Sequence, residues 1–300
     1  MNQPRERDKG MGTSLTKRFA TLGVVEYKIA TTPQEMEEAL SLVYREYAKR
    51  GLILPARYKA PIRVGVHHLL PEETRVFIGV KEGEVVITLS AFKDSPLGLP
   101  MDGGYGPEAD ALRAGGRKIG EVGYFAVKGG LFKRKRLLGF DPEKLSFIFT
   151  MFRLALQWGL YFTDLDDGCL VTNPDPKRMS FKYFPLDVIG GVKHFGFDET
   201  HVKPKPAVAK RIDLKALRAA LKKPLSWLNF KIALFRCALD KAIPREVLEP
   251  KLRLSPRDLH RFFVEKSDVL KSLQGEKLEY VLKSHGMSKD DYNLLLSGHW

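Results

Sequence analysis

The stretch from Leu145 to Phe162 sets the terms for the whole chain. Its 18 residues carry one charge, Arg153. That is near the length of a membrane span. The strongly polar side chains recur at Ser146, Thr150, Arg153 and Gln157, at spacings of four, three and four. These spacings place all of them on one stripe of a helix. A spanning helix has no use for such a stripe, whereas a helix laid on a sheet with one narrow wet edge requires it. Asp141 followed by Pro142 supplies an N-cap with proline in the first turn. The sequence therefore predicts a buried soluble helix, and a helix this apolar needs a sheet beneath it.

The sequence offers that sheet. Val24 to Ala30 alternates and reads as a strand, and Thr32-Pro33-Gln34-Glu35 is a capping box that opens a helix to about Arg50. Arg75 to Lys81 and Glu84 to Phe92 form a hairpin around Glu82-Gly83. Asp94 to Gly106 reads as a loop and Pro107 to Gly115 as a short helix closed by glycine. Ile119 to Val127 and Asp167 to Thr172 are strands flanking the long helix. Lys177 to Phe184 reads as a short helix, and Val188 to Phe195 and Ala207 to Ile212 as the last strands. Beyond Asp213 no alternating run survives, and helical runs fall at 213–222, 225–242, 255–273 and 276–297. The expected organisation is a mobile basic tail over 1–23, an α+β domain over 24–212 and a helical extension over 213–300.

Charge narrows the partners. The chain has 50 Lys and Arg against 36 Asp and Glu, a net +14. Residues 201–300 hold 21 against 11, so most of the excess lies there. A basic surface implies an acidic partner: nucleic acid, an anionic membrane or an acidic protein. No zinc finger and no recognition helix is visible, so nucleic acid is disfavoured. Between Lys205 and Arg236 nine basic residues stand against one acid, with Trp227 and Phe230 among them. That composition suits either a helix packed on the core or a peripheral membrane contact through 213–243. Two cysteines, Cys169 and Cys237, make no disulfide framework and point to the cytoplasm, with the inner-membrane surface as a variant. His67 and His68 are adjacent, and His194 and His201 have no partner at ligand spacing, so no metal is expected.

Three segments carry a more specific signal. They are Asp94-Ser95-Pro96-Leu97-Gly98-Leu99-Pro100-Met101-Asp102, then Asp110-Ala111-Leu112-Arg113, then Glu121-Val122-Gly123-Tyr124-Phe125-Ala126-Val127. Together they resemble the long-chain N-acyl amino acid synthases, relatives of the acyl-homoserine-lactone synthases. Pro256 to Lys266 also looks like a C-terminal segment of some relatives. The resemblance implies a GNAT-like acyltransferase fold with a C-terminal helical extension, in which the acyl carrier's pantetheine lies where the fourth and fifth strands splay apart. It implies transfer of a fatty acyl group from the acyl-phosphopantetheine thioester of an acyl carrier protein to a small amine or amino acid. Arg136 to Phe140 half matches the pyrophosphate loop of coenzyme-A acetyltransferases and lacks its second glycine, so acyl-CoA is the weaker donor. No tightly bound cofactor is expected. One departure stands out: the family's E-x-x-R is Glu121-x-x-Tyr124 here. Losing the arginine removes a planar, bidentate carboxylate clamp.

On this reading Glu121 is the general base, with Asp94 and Asp102 as alternatives. Backbone N–H groups of Phe125, Ala126 and Val127 face the developing oxyanion, and Tyr124 gives a proton to the departing thiolate. Asn173, just past the fifth strand, joins the substrate-binding set. Lys133, Arg134, Lys135 and Arg136 form a dock for the acidic carrier protein. Plainer readings stay open: a surface carboxylate at Glu121, turn formers at Asp94 and Asp102, a packed ring at Tyr124 and a solvated basic loop. The competing function is a basic membrane-surface or nucleic-acid-binding protein on an inactive acyltransferase scaffold.

Overall fold

The computed structural model describes residues 25–131, 142–174, 186–195, 204–223, 245–249 and 251–299. The tail over 1–23, the basic run Lys133–Arg136, the short helix expected at 177–184 and the helix expected at 225–242 lie outside the described residues.

Among the described residues seven strands form one sheet in the order β1-β2-β3-β4-β5-β7-β6. They are β1 (Glu26–Ile29), β2 (Thr74–Lys81), β3 (Glu84–Lys93), β4 (Ile119–Val127), β5 (Asp167–Thr172), β6 (Asp187–Phe195) and β7 (Lys205–Asp213). Of these pairings, β4 with β5 is parallel and the rest are antiparallel. The β2–β3 hairpin closes through Glu82 and Gly83, both at positive φ (53° and 79°), a geometry that matches the twist of the strands it joins.

Helices cover both faces. α1 (Pro33–Lys49) opens on the capping box, with Thr32 accepting from the Glu35 N–H. It buries Ala39, Leu42 and Val43 against Val76, Ile78 and Ala126. On the opposite face α3 (Pro142–Tyr161) lays Met151, Leu154 and Trp158 on Phe77, Leu89 and Ala91. The alternation of Val76, Phe77 and Ile78 between these two cores is the period-two pattern of a strand buried on both sides. The polar stripe behaves as a graded edge: Ser146 is exposed, Thr150 and Arg153 are half-buried, and Gln157 is buried. α4 (Leu214–Lys222) sends Arg218 back onto α3, donating to the carbonyls of Leu160 (2.8 Å), Gly159 (2.6 Å) and Leu165 (2.6 Å). This caps the carbonyl end of the long helix with a cation. No helix among the described residues is long and apolar enough to cross a membrane.

Three sequence expectations need correction, the first being that the run over 255–273 is helical only to Glu265. The loop over Asp94 to Gly106 ends earlier than expected, because α2 runs Asp102–Ala114 with a kink at Tyr105 (φ −124°, ψ 28°). Three glycines and Pro107 conceal that helix in the sequence. Tyr105 is fully buried, and its break in the helix accommodates Pro107. The run over 276–297 is two helices, because Gly286 takes the left-handed conformation (φ 65°) and Ser288 caps a new start.

The C-terminal helices share a core with the sheet domain. After the four-residue α5 (Arg245–Leu248) come α6 (Pro256–His260), a π turn (Arg261–Glu265), α7 (Gly275–His285) and α8 (Lys289–Ser297). Phe262, Phe263, Leu270 and Val281 pack with Met36 and Leu40 of α1 and with Ile62, Leu69, Leu70 and Leu97. The irregular segment between α1 and β2 is thereby wedged between the sheet and the C-terminal helices.

Candidate active site

The parallel pairing of β4 with β5 is brief. Ile119 faces Asp167, Gly120 faces Gly168 and Glu121 faces Cys169, and the register ends there. Beyond Glu121 the two strands part. On its other edge β4 carries a bulge: Ser90 pairs with Gly123 and Thr88 with Ala126, two steps on β3 against three on β4. Tyr124 occupies the extra position at φ 51°, a left-handed conformation costly for a side chain of this size. The bulge re-aims Tyr124 relative to its neighbours on the strand. A cleft of about 360 Å³ opens here, lined on one side by Glu121 to Phe125 and on the other by Leu170 to Asn173. Next to it, between the sheet and α3, an apolar pocket lined by Val122, Phe152, Ala155, Trp158, Leu170 and Ile212 shares Glu121, Val122, Phe152 and Leu170 with the cleft.

Glu121 lies at the vertex and is 5% exposed. Its Oε2 accepts from the Met101 N–H at 2.7 Å. Burial pushes its carboxyl up to about 8; the Met101 bond opposes this and the negative charge of Asp102 adds to it. A carboxyl poised near neutrality in a cleft is a proton acceptor suited to its task.

Asp94 and Asp102 meet at one arginine. Arg113 takes Asp94 on both carboxylate oxygens (Nε to Oδ2 2.7 Å, Nη2 to Oδ1 2.9 Å) and Asp102 at 2.8 Å. Its third contact is Asp110 at 2.7 Å. Asp102 also accepts from the Leu99 N–H at 2.9 Å. The first two motifs of the sequence are therefore one ion-pair cluster, a charge-assisted clasp. It holds the loop that ends in Met101, and so it aims the donor on Glu121.

Tyr124 is packed on several sides. Its ring meets Phe92 (5.6 Å between centroids) and His68 (4.8 Å), and the Arg63 guanidinium lies 4.7 Å from its centroid. Its hydroxyl reaches Gly65, where an added Cβ would lie 2.3 Å from the oxygen. Phe125 stacks near Phe152 at 5.5 Å. Ala126 and Val127 are back in register with Thr88 and Ile87, so of the three only Phe125 belongs to the bulge. Asn173 lines the far wall.

Sequence reasoning missed a group of residues that the structure brings to this cleft or, for His68, against the Tyr124 ring that lines it. Arg63, buried at 3% exposure, sits between Tyr47 and Tyr124. His68 is buried and pairs through Nε2 with the Ser90 hydroxyl at 3.3 Å, and burial lowers it to about 3, so it is neutral at physiological pH. Arg50 and Lys205 also line the cleft, in which Glu121 is the one acidic lining residue among the described residues. The available signal was a lone arginine inside the apolar run Ile62 to Val66. Cys169, opposite Glu121, is fully buried and burial pushes its thiol up, which keeps it inert. Among the described residues no cluster of three or more His, Cys, Asp or Glu has the geometry to hold a metal.

The family profile described as N-acyl amino acid synthase FeeM matches residues 38–213. The solved structure of FeeM, an N-acyl amino acid synthase from uncultured soil microbes, superposes with a TM-score of 0.52 at 23% identity, covering 70% of this chain and 99% of that one. The acyl-homoserine-lactone synthase LasI gives 0.42 at 16%, covering 64% and 89%. BjaI, a CoA-dependent acyl-homoserine lactone synthase, gives 0.42 at 12%, covering 76% and 96%. No curated protein sequence matches. The fold is GNAT-like, with helical segments added at the C-terminus.

Proposed function

This chain belongs to the N-acyl amino acid synthase FeeM family and is an N-acyltransferase; from that premise we propose that it moves a fatty acyl group from the thioester of an acyl carrier protein to the amine of an amino acid or similar small amine. The observation that carries this reading is the buried carboxyl of Glu121 at the point where β4 and β5 part, beside an open cleft.

The chemistry follows from those positions. The amine nitrogen attacks the thioester carbonyl carbon through its lone pair, so its surplus proton must leave. Glu121 takes that proton. Charge then develops on the carbonyl oxygen, and the backbone N–H groups of the Phe125 to Val127 segment, of which Phe125 lines the cleft, are its donors. The C–S bond breaks, the amide forms, and the departing sulfur is protonated, with the Tyr124 hydroxyl as the donor. Asp94 and Asp102, held by Arg113, act as positioning residues for the Met101 N–H on Glu121. Asn173 contacts substrate from the β5 side of the cleft.

The donor is a carrier protein because Lys133 to Arg136, just before α3, is complementary to an acidic helix, and because the second glycine of the coenzyme-A loop is missing at 136–140. The work is done in the cytoplasm, with the basic stretch over 213–243 as the surface that meets the inner membrane. Mass spectrometry of lipids from cells that express the chain, beside Glu121→Gln, tests the reading. N-acylated amines are expected with the first protein and a loss of at least about 100-fold with the second. Equal yields from both would overturn the role of Glu121.

A further inference from the structure

The helices from α6 to α8 play no part in the reaction just described, and they lie beyond the matched residues 38–213. We propose that they are a positioning element of the catalytic cleft: through the Phe262–Phe263 pair and His285 they hold the wall against which the acceptor amine is bound. The inference rests on the site being an N-acyltransferase site, and it gives a role in that reaction to residues outside all three sequence motifs.

The first hold begins where α6 passes into the π turn. Such turns are rare, and this one buries three successive side chains, Phe262, Phe263 and Val264. Arg261 and Lys266, on either side of the two rings, both pair with Glu37 of α1. The turn is thereby fastened to the helix that brings Tyr47 to the cleft. Phe262 and Phe263 share a core with Ile62 and Leu69 of the irregular segment and with Leu97, and Tyr124 packs against that core. Leu97 belongs to the loop that ends in the Met101 N–H, and Tyr124 to the bulge of β4. The second hold comes from α7. His285 Nε2 donates to the Leu69 carbonyl at 2.6 Å, and the Tyr280 hydroxyl to Glu73 Oε1 at 2.8 Å. Leu69 follows His68, whose ring lies 4.8 Å from that of Tyr124. The path from His285 to the cleft is one hydrogen bond, one peptide link and one ring contact.

Both holds act on one face of the sheet. Among the described residues, none from 251 to 299 belongs to the core between the sheet and α3, where the apolar pocket lies. That pocket suits the acyl chain of the donor. The amine then meets the thioester from the opposite face, where Tyr47 and Tyr124 line the cleft and pack on the α1 side of the sheet. The wall on that side needs support from behind. The connection from Arg50 to Glu73 contains only two short 3₁₀ turns, and connections of this length are commonly binding loops. A loop that orients a reactant must be held to a fraction of an ångström. The Phe262–Phe263 core and the His285 bond supply that constraint on the acceptor side and leave the donor side untouched.

The test separates acceptor from donor in steady-state kinetics of the full chain, with palmitoyl acyl carrier protein and the best amino acid acceptor. His285→Ala removes the donor to Leu69. It should raise KM for the acceptor by about 10- to 100-fold, while KM for the carrier protein and kcat at saturating acceptor stay within about twofold. His285→Gln can still donate to that carbonyl and should recover most of the loss. Phe263→Leu keeps the core apolar and should raise the acceptor KM in the same one-sided way; it decides the matter should His285→Ala yield no folded protein. A merely structural role would lower kcat through the folded fraction and leave both KM values alone, which would overturn the proposal. Equal rises in both KM values, or no change in either, would also overturn it, while leaving acyl transfer standing. A wild type that forms no amide would refute acyl transfer and this proposal together.

Discussion

Replacing Glu121 by glutamine separates the catalytic reading from a structural one through the pH dependence of stability. In the folded protein the carboxyl ionises near 8, against an ordinary value of 4.5. Between those values the folded state holds a proton that the unfolded chain has released. Stability then falls as pH rises through that window, and is flat outside it. At about 1.4 kcal/mol per pH unit, the ceiling of the effect from pH 4.5 to 8 is roughly 5 kcal/mol. Glutamine does not titrate, and its side-chain oxygen can still accept from the Met101 N–H that Glu121 holds at 2.7 Å. Every other titrating group is common to both proteins and cancels in the difference. Urea unfolding of the two proteins at pH 5, 7 and 9 should therefore show Glu121→Gln gaining on the wild type by several kcal/mol as pH rises. The same variant should lose about 100- to 10,000-fold in turnover, and its rate profile should lack the limb that rises toward pH 8. A stability gap that is constant or shrinks with pH would refute the buried, neutral carboxyl. Unchanged turnover would pass the proton to Asp94 or Asp102.

Two further outcomes follow from the same geometry and a third from the charge pattern of the sequence. Arg113→Ala frees the Asp94 and Asp102 carboxylates that it holds at 2.7 to 2.9 Å; kcat should fall with only a modest rise in KM, and an equal change confined to KM would count against a positioning role. Gly65→Ala puts a methyl where the Tyr124 hydroxyl lies, at 2.3 Å, so thermal unfolding should show a loss of about 1–3 kcal/mol, and Tyr124→Phe in the same background should recover part of it. Arg134→Glu with Arg136→Glu should raise KM for an acyl carrier protein while leaving an acyl-pantetheine donor nearly indifferent. Added salt should shrink that difference, because exposed charges are screened over about 8–10 Å, and an equal loss with both donors would move the dock elsewhere.

How much of this was legible in the sequence depends on the range of the interaction. The β4 and β5 spans, Ile119–Val127 and Asp167–Thr172, match their sequence limits, because alternation of buried side chains is a local signal. The start of α2 was not legible. Gly103, Gly104, Gly106 and Pro107 argue against a helix locally, and its first turn depends on Arg113 and Asp102 meeting across the helix. The joining of Asp94 to Arg113 spans 19 positions and has no periodic signature. Arg63 and His68 come from an irregular segment whose place is set by Phe262, Phe263 and Val281, about two hundred residues along the chain. No pattern within that segment encodes a wall built from its far end.

The most direct test of the account is amide formation by the purified protein. Incubated with palmitoyl acyl carrier protein and the mixed protein amino acids, it should release free carrier thiol and one N-palmitoyl amino acid in equal amounts, identified by mass, with Glu121→Gln yielding at least about 100-fold less. Thiol release without any amide, or amide formed equally by both proteins, would contradict the claim that the vertex between β4 and β5 is an N-acyltransferase site with Glu121 as its base.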